Sequence, residues 1–370
     1  MTEPIKLTQM ITRLQLQSFR SYQDLILEIN QPFVVFAGPN GMGKTNILEA
    51  ISLFTPGRGL RRAEMSELQK IGSQIPWGAS VNVSDYSLGT GIHSIESKKR
   101  IWLLNQEPLK SQKILNDILR LFWLTPETDR LFLDTPSVRR QFIDRMIFVL
   151  WPEHAATLKA YEHATKERHK LLETQADSNW IGKVEEHVVE AGLKMQKNRA
   201  DFLSLLPFDE SLNAYMQGAA ESIIDQDDPE EFYLKQLLQN RIRDEASGMT
   251  LFGPHRSDLE VIYKTKNQQA QKCSTGEQKM LLSKLLIAFL KYLLQQVTSP
   301  VILLFDDVIS HLDFANRVLL FEQLIRLQQQ TDNKGTLQVF FTGTDLKAFE
   351  SILHYSQSFE VDNSQIRTIP

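Results

Sequence analysis

The segment GPNGMGKT, residues 38–45, has the residue types and spacing that bind phosphate. It fits the pattern G-x-x-x-x-G-K-[ST] between the apolar run FVVFAG and the helical pattern TNILEAISLF. Helix-start N–H groups attract an anion there, Lys44 reaches the outer phosphates, and the Thr45 hydroxyl helps to hold Mg²⁺. This context disfavours a glycine-rich turn with a chance Lys-Thr. The predicted nucleotide-binding residues are Gly38, Pro39, Asn40, Gly41, Met42, Gly43, Lys44, Thr45 and Asn46.

Two carboxylates follow the apolar run VILLF, residues 301–305. Asp306 stands at an expected strand end, so we predict that it holds Mg²⁺ beside Thr45, directly or through water. Asp307 could orient the attacking water as a base, and the residues leave open which aspartate does so. An ordinary Asp-Asp turn is the alternative. Lys44, Asp306 and Asp307 are the candidate catalytic residues, and Thr45 with Asp306 is the candidate Mg²⁺ site.

The stretch CSTGEQKML, residues 273–281, stands directly before a long apolar run. Ser274 and Glu277 have the spacing of a capping box, which starts a helix by satisfying its first N–H groups. The same helix start could instead receive a phosphate, because its N–H groups and dipole favour an anion. Both interpretations stay open, since Ser274 could cap the helix in the free chain and bind phosphate when a partner is present.

Composition places the chain among ordinary globular proteins. Its 370 residues suffice for two domains, and the net charge of −4 argues against holding nucleic acid by bulk charge alone. The single Cys273 excludes a disulfide framework and a zinc site of several cysteines. No apolar run approaches the ~18 residues of a membrane span, and the N-terminus lacks signal-peptide features. We therefore expect a soluble cytoplasmic protein without a membrane partner.

The order of patterns predicts an α/β fold interrupted by a helical insertion. Alternating apolar residues predict a strand pair at 11–29, and residues around 75–104 and the runs LEVIY, VILLF and QVFFT predict further strands. The prediction is a head, residues 1–111 and 247–370, with a phosphate-loop sheet, flanking helices and an N-terminal antiparallel β part. Strong helix formers dominate the intervening arm, 112–246, whose longest helix of about 25 residues would span about 37 Å.

The phosphate loop, the Ser-x-Gly-Glu-Gln helix start and the Asp-Asp strand end before SHLD occur in one order. That order resembles the ATP-binding-cassette ATPases. The resemblance implies that the helix start contacts the ATP of a partner subunit, in a head-to-tail homodimer that forms with ATP. The residues implied to contact this ATP are Ser274, Thr275, Gly276, Glu277 and Gln278. The implied D-loop and switch residues are Ser310, Asp313, Thr342 and Thr344, although the usual switch His has no counterpart.

Within this class, the short arm and several local motifs resemble the RecF family. The motifs are LQLQSFRSYQDLILEI, LFTPGRGLRRAE, FWLTPETDRLFLDTPSVRRQFIDRMI and LFGPHRSDLEV, which extend the resemblance over nearly the whole chain. The chain departs from the family pattern at Thr128, Asp134 and Ser257, where Asp, Gly and Asp are usual. No glutamine-loop residue is recognised.

Resemblance to RecF implies a DNA-binding protein of replication, recombinational gap repair and the DNA damage (SOS) response. ATP binding with Mg²⁺ would pair two copies on single- or double-stranded DNA at gaps or junctions. Slow, DNA-dependent ATP hydrolysis would act as a switch that releases the DNA. The implied partners are RecR and RecO, with RecA recombinase loaded indirectly on single-stranded gaps. The alternatives from other classes are an ATPase subunit of a transporter and one of an ATP-dependent nuclease.

Arginines are the candidates for DNA contact. Arg58, Arg61 and Arg62 follow the phosphate-loop helix and could bind DNA phosphates, through contacts that are independent of sequence and sensitive to salt. A solvated basic loop is the alternative, and only the resemblance to RecF favours DNA. The pairs Arg139–Arg140 and His255–Arg256 are poorer candidates, because ion pairs that brace the arm against the head explain them more simply.

Overall fold

The chain forms two compact units. The computed structural model describes residues 9–97, 99–330 and 332–369. The first unit contains the described residues up to Asp129 and from Leu290 onward, and the second contains Arg130–Phe289. These bounds differ from those of the predicted head and arm, because residues 112–129 lie in the first unit and residues 247–289 in the second. The assignment of a head and an arm stays a prediction.

The first unit contains a mostly parallel six-stranded sheet. Its strands are β3 (Phe33–Ala37), β8 (Arg120–Leu124), β12 (Val301–Phe305), β13 (Leu337–Gly343), β14 (Ser356–Asp362) and β15 (Gln365–Ile369). Their order is β15-β14-β3-β13-β12-β8, and only β15 is antiparallel to its neighbour. Every residue of β3, β12 and β13 is buried, which explains why these strands are continuous apolar runs. Parallel pairing brings the carboxyl ends of these three strands to one edge of the sheet.

A second, antiparallel sheet lies in the same unit. Its strands are β1 (Ile11–Phe19), β2 (Tyr22–Glu28), β4 (Gly78–Val83), β5 (Tyr86–Gly91), β6 (Ile101–Leu104) and β7 (Glu107–Pro108), in the order β2-β1-β4-β5-β6-β7. The predicted strand pair at 11–29 is confirmed, with Phe19 opposite Tyr22 across the turn. The predicted N-terminal antiparallel β part is confirmed with it. One hydrophobic core packs both sheets of this unit together.

Helices flank these sheets. The α-helices of the first unit are α1 (Lys44–Ser52), α2 (Met65–Leu68), α3 (Leu115–Ile118) and α9 (Phe314–Gln329). A 3₁₀ segment, Leu346–Tyr355, follows β13. The helix predicted after the phosphate loop is therefore present as α1. Among the described residues, none of the helices combines the length and the apolar character that crossing a membrane requires.

The second unit is mainly helical. Its helices are α4 (Pro136–Leu150), α5 (His154–Glu173), α6 (Ser178–Leu205), α7 (Pro229–Ser247) and α8 (Thr275–Gln296), of which α8 continues past the boundary between the units. Its strands β9 (Leu212–Gln217), β10 (Asp258–Tyr263) and β11 (Gln268–Gln269) form an antiparallel sheet in the order β11-β10-β9. β10 confirms the strand predicted at LEVIY. β9 was missed, because its buried-exposed alternation is only six residues long and lies within a helix-rich region.

Candidate nucleotide-binding site

The predicted nucleotide-binding residues of the first unit lie at the edge of the parallel sheet where the strands have their carboxyl ends. The phosphate loop follows β3, the aspartate pair follows β12, and Thr342 lies near the end of β13. The three strands are neighbours in the sheet, so residues from distant parts of the sequence meet at its edge. The side chain of Thr45 thus reaches Asp306, 261 positions away, with Oγ1 donating to Oδ1 at 2.7 Å.

Two glycines shape the phosphate loop where other backbone or side-chain atoms come close. A Cβ on Gly38 would lie 2.2 Å from the Val361 carbonyl oxygen, and one on Gly43 would lie 2.8 Å from the Tyr22 hydroxyl. Gly43 also has a φ of 108°, which residues other than glycine rarely adopt. The Tyr22 hydroxyl donates to the Gly43 carbonyl at 3.2 Å, and burial raises the pKa of Tyr22, so the phenol stays protonated. Glycine is therefore required at both positions for steric reasons.

Lys44 is buried and folded onto its own loop. Its Nζ donates to the carbonyl oxygens of Gly38 at 2.6 Å and Pro39 at 2.7 Å. Burial lowers the pKa of Lys44, while the negative charges of Asp307 and Asp306 oppose that shift. The ammonium group therefore lies in the loop beside two carboxylates, where it is suited to bind phosphate oxygens.

Asp306 is the inner member of the aspartate pair. It is buried, and its Oδ1 accepts hydrogen bonds from the Thr45 hydroxyl at 2.7 Å and the Thr342 hydroxyl at 2.9 Å. A carboxylate beside a hydroxyl is the kind of oxygen donor set that Mg²⁺ takes in phosphate sites. Thr45 and Asp306 therefore fit a magnesium ion, with Thr342 fixing the carboxylate from the next strand.

Asp307 has a different environment from its neighbour. Its φ of 53° is left-handed, and its N–H donates to the Thr342 hydroxyl at 2.9 Å. Its Oδ1 accepts from the Ser310 hydroxyl at 2.9 Å, and the residue is only half-buried. Asp307 is more exposed than the buried Asp306, so it is the better placed of the two to meet a water molecule.

The remaining predicted D-loop and switch residues lie nearby in sequence but contact different groups. Asp313 caps α9 by accepting from the Asn316 N–H at 2.9 Å, and this hydrogen bond is the main cause that lowers the pKa of Asp313. Thr344 is exposed beyond the end of β13. Of the two predicted switch threonines, Thr342 alone has a hydrogen bond to the aspartate pair.

The turn between β1 and β2 supports α1, a role that the sequence analysis missed. Arg20 pairs with Glu49 of α1 through two hydrogen bonds, Nε to Oε2 at 2.8 Å and Nη2 to Oε1 at 2.6 Å, and the Glu49 side chain is fully buried. The Ser21 hydroxyl accepts from the Asn46 amide at 2.9 Å. The available signal was the Phe-Arg-x-Tyr turn, in which Arg20 has a left-handed φ of 52°.

The C-terminal hairpin makes a second contact that no motif indicated. The Ser364 N–H donates to the Met42 carbonyl at 3.0 Å, and the Asn363 N–H lies 3.3 Å from the Met42 sulfur. Asn363 and Ser364 both have left-handed φ angles, as a two-residue hairpin turn requires. This turn therefore fixes the middle of the phosphate loop from the far end of the chain.

The arginines predicted to contact DNA after α1 are partly engaged within the chain. Arg58 pairs with Glu64 at 2.6 Å, with both side chains exposed. Arg61 donates to Asn46 at 3.0 Å and lies 3.5 Å from Glu49. Arg62 adopts a left-handed φ of 54°. The loop connects to the phosphate-loop helix through Arg61, and its contact with DNA stays a prediction.

A capping box has two reciprocal contacts, and at the start of α8 the one made by the Glu277 side chain is present. The Glu277 carboxylate accepts from the Ser274 N–H at 3.0 Å and from the Ser274 hydroxyl at 2.8 Å, and it pairs with Lys266. The hydrogen bond from Lys266, followed by those from Ser274, lowers the pKa of Glu277 to about 2. The Ser274 side chain is therefore held at the helix start by a fully ionised carboxylate.

The residues predicted to contact the ATP of a partner subunit divide into exposed and buried ones. Ser274 and Thr275 are exposed, and Gly276 is half-exposed. Gln278 is buried, and its amide donates to the Cys273 carbonyl at 3.1 Å. The exposed helix start is thus free to meet another molecule, whereas the Gln278 side chain supports the loop that precedes α8.

The segment Gly-Pro-His-Arg, residues 253–256, is tied to the helices of the second unit. The His255 Nε2 lies 2.7 Å from the Thr250 carbonyl oxygen, so this nitrogen carries the proton. The Tyr161 hydroxyl then donates to His255 Nδ1 at 2.6 Å, and the Tyr233 hydroxyl lies 3.1 Å from that of Tyr161. Burial lowers the pKa of His255, which favours the neutral ring in this chain of hydrogen bonds.

We expect the free energy of unfolding to fall less on acidification in His255→Gln than in the wild-type protein. Burial lowers the pKa of His255, and nearby arginine charges act in the same direction, although the bond to Thr250 opposes them. In the unfolded chain the pKa of histidine is about 6.5, so the neutral form contributes stability above about that pH. This stability is lost as the pH falls, by at most about 1.4 kcal/mol per pH unit. Urea unfolding of both proteins at pH 7, 6 and 5 measures the difference. Identical pH dependence would contradict the prediction.

The parallel sheet, phosphate loop and aspartate pair define the ATP-binding-cassette and SMC class of ATPase heads. The sequence profile of the RecF/RecN/SMC N-terminal domain matches residues 10–365. The DNA replication and repair protein RecF of Rhizobium rhizogenes strain K84 is 36% identical over 377 residues, covering 96% of this chain and 98% of that protein. RecF of Agrobacterium fabrum strain C58 is 36% identical over 376 residues, with the same coverage. The chain belongs to the RecF family.

Solved structures share the fold. A structure of the recombination mediator protein RecF with ATPrS in the RecFOR pathway superposes with a TM-score of 0.81 at 21% identity, covering 98% of this chain and all of that one. Its ATP-bound counterpart superposes with a TM-score of 0.77 at 21% identity, covering 97% and 99%. The predicted α/β ATPase-head fold and the resemblance to the RecF family are thereby confirmed.

Proposed function

We propose that this chain is an ATP-dependent DNA-binding protein of replication and recombinational gap repair. The observation that carries the proposal is the meeting of Lys44, Thr45 and Asp306 at one edge of the parallel sheet. Family membership supports it, because the relatives are named DNA replication and repair proteins. The RecF structures in complex with ATP and ATPrS support ATP as the nucleotide.

The residues of the site divide the chemistry among them. Lys44 and the loop N–H groups bind the phosphates, and Thr45 with Asp306 holds Mg²⁺, which neutralises phosphate charge when bound. Thr342 keeps the Asp306 carboxylate oriented by donating to its Oδ1. Asp307 accepts a proton from the attacking water, because it is the more accessible carboxylate and its backbone is fixed by Thr342. Hydrolysis is slow and DNA-dependent, and it acts as a switch.

The exposed start of α8 completes the site of a second copy. The Ser274 hydroxyl and the first N–H groups of α8 form an anion-binding helix start, which faces the ATP γ-phosphate of the partner in a head-to-tail dimer.

The paired form holds DNA at gaps or junctions, and hydrolysis releases it. The RecFOR pathway named for the related structures supports RecR and RecO as partners, with RecA loaded on the gap indirectly. A cytoplasmic location belongs to the same proposal.

Ser274→Arg is expected to prevent ATP-dependent dimerisation. The long side chain occupies the space of the partner's phosphates and removes the Ser274 hydroxyl, so the dimer dissociation constant rises at least about tenfold, or 1.4 kcal/mol. Sedimentation velocity with ATP, Mg²⁺ and gapped DNA measures the dimer and the bound DNA together. Wild-type protein is expected to form dimers and to bind DNA.

Ser204→Arg is the matched control, because it introduces the same side chain at an exposed serine on α6. If Ser274→Arg dimerises as well as Ser204→Arg and wild type do, the proposed contact between the start of α8 and the partner's ATP is wrong. If wild type does not bind DNA with ATP at low salt, the DNA-binding function itself is wrong.

A further inference from the structure

Two arginines near residues 253–256 have carboxylate partners that fully occupy them. Arg139 of α4 binds Asp258 of β10 through Nε and Nη2, both at 2.7 Å. Arg199 of α6 binds Asp144 of α4 through Nε and Nη2, both at 2.8 Å. Each carboxylate thus uses both oxygens on one guanidinium group. These two pairs brace the elements of the second unit.

Two neighbouring arginines have no such partner. Arg140 donates from Nη1 to the Ser257 carbonyl at 2.6 Å, which places its guanidinium beside the backbone that follows Arg256. Arg256 is exposed, and its Nη1 lies 3.7 Å from the Met249 sulfur. Across residues 9–97, 99–330 and 332–369, neither arginine forms an ion pair. The adjacent Glu221 carboxylate accepts from the Ser257 hydroxyl and not from either arginine.

Two other positive charges lie near the Arg140 side chain. Burial lowers the pKa of Arg140, and the positive charges of Arg199 and Arg256 lower it further against the pull of the two aspartates. The partly buried Arg140 guanidinium therefore lies near the positive charges of two other arginines. Such a group is more stable when an anion binds it, because each guanidinium presents several N–H donors in a planar fork.

We propose that Arg140 and Arg256 bind a backbone phosphate of DNA. The guanidinium forks of both residues are suited to the tetrahedral oxygens of phosphate, and the contact carries no base specificity. This inference rests on the proposed DNA-binding function and adds a contact in the second unit to the predicted contacts of the loop after α1. It also separates Arg139, a structural residue, from its neighbour Arg140.

The test measures DNA affinity as a function of salt. Each phosphate contact contributes about 0.9 to the slope of log K against log salt on duplex DNA. We expect Arg256→Gln to weaken binding of labelled gapped DNA several-fold at low salt and to reduce that slope by about 1. Fluorescence anisotropy with ATP and Mg²⁺ from about 50 to 200 mM salt gives both quantities. The matched control is Arg243→Gln, at an exposed arginine on α7 in the same unit.

The outcomes separate the two proposals. If wild type binds DNA and Arg256→Gln has the affinity and slope of Arg243→Gln, the phosphate site is wrong while the DNA-binding function stands. If wild type does not bind DNA, the proposed function fails first. Arg140→Lys keeps the charge and loses the fork, so it is expected to weaken binding less than Arg140→Gln. ATP-dependent dimerisation should be unchanged in Arg256→Gln, because the Arg256 side chain is exposed. If Arg140→Gln does not fold, Arg256→Gln therefore tests the phosphate site by itself.

Discussion

Replacing Lys44 by alanine is expected to weaken ATP binding roughly 10- to 150-fold. A hydrogen bond to a charged group contributes about 1.5–3 kcal/mol, which corresponds to that range of affinity. Lys44 is the cation of the phosphate loop, with its ammonium group bound to the Gly38 and Pro39 carbonyls. The variant therefore removes both the proposed phosphate ligand and a tether of the loop. Titration with a fluorescent ATP analogue in the presence of Mg²⁺ measures the dissociation constant.

Two further variants separate these roles of Lys44. Lys44→Met keeps the aliphatic length without the charge, so it should bind ATP as weakly as Lys44→Ala if the ammonium group is the essential feature. Lys347→Ala removes an exposed lysine of the same unit and should leave the affinity unchanged. Thermal unfolding without nucleotide checks that the loop change leaves the fold intact. An unchanged dissociation constant in Lys44→Ala would refute the phosphate-loop assignment.

The second large effect is expected for Asp306→Asn, which should lower the rate of ATP hydrolysis by about 10- to 100-fold. Asn keeps an acceptor for the Thr45 and Thr342 hydroxyls, so the change removes mainly the negative charge that favours Mg²⁺. Loss of a group that orients or supports a metal ligand typically has this effect on metal affinity or activity. The Mg²⁺ concentration for half-maximal hydrolysis should rise with it. Phosphate release at several Mg²⁺ concentrations measures both.

Asp307→Asn is the comparison that assigns the base. It should lower the hydrolysis rate without changing the Mg²⁺ requirement, because the Asp307 carboxylate accepts from Ser310, whereas the Thr45 hydroxyl donates to Asp306. Thr342→Val removes the hydroxyl that contacts both aspartates, and it should combine the two defects. If Asp307→Asn raises the Mg²⁺ requirement and Asp306→Asn does not, the two roles are reversed.

Much of the fold could be predicted because its signals are local. The phosphate loop is a contiguous pattern whose glycines, lysine and threonine act through backbone geometry over eight residues, 38–45. Buried parallel strands are continuous apolar runs, so the strands before the loop and before Asp306 were found directly. β9 was not found, because its period-two alternation competes with strong helix formers on both sides. Short elements of this kind depend on a neighbouring strand, here β10, for their hydrogen bonds.

Residue types and spacing by themselves predicted which residues would carry the chemistry: the phosphate loop, the aspartate pair and the helix start at Ser274. Only the tertiary structure decided the direction of each side chain. Asp306 turns to Thr45 while Asp307 turns to Ser310, and Arg139 pairs with Asp258 while Arg140 does not. Adjacent residues point to different sides of the backbone, and their partners lie far along the chain. Packing of distant segments therefore selects between neighbours that the sequence leaves equivalent.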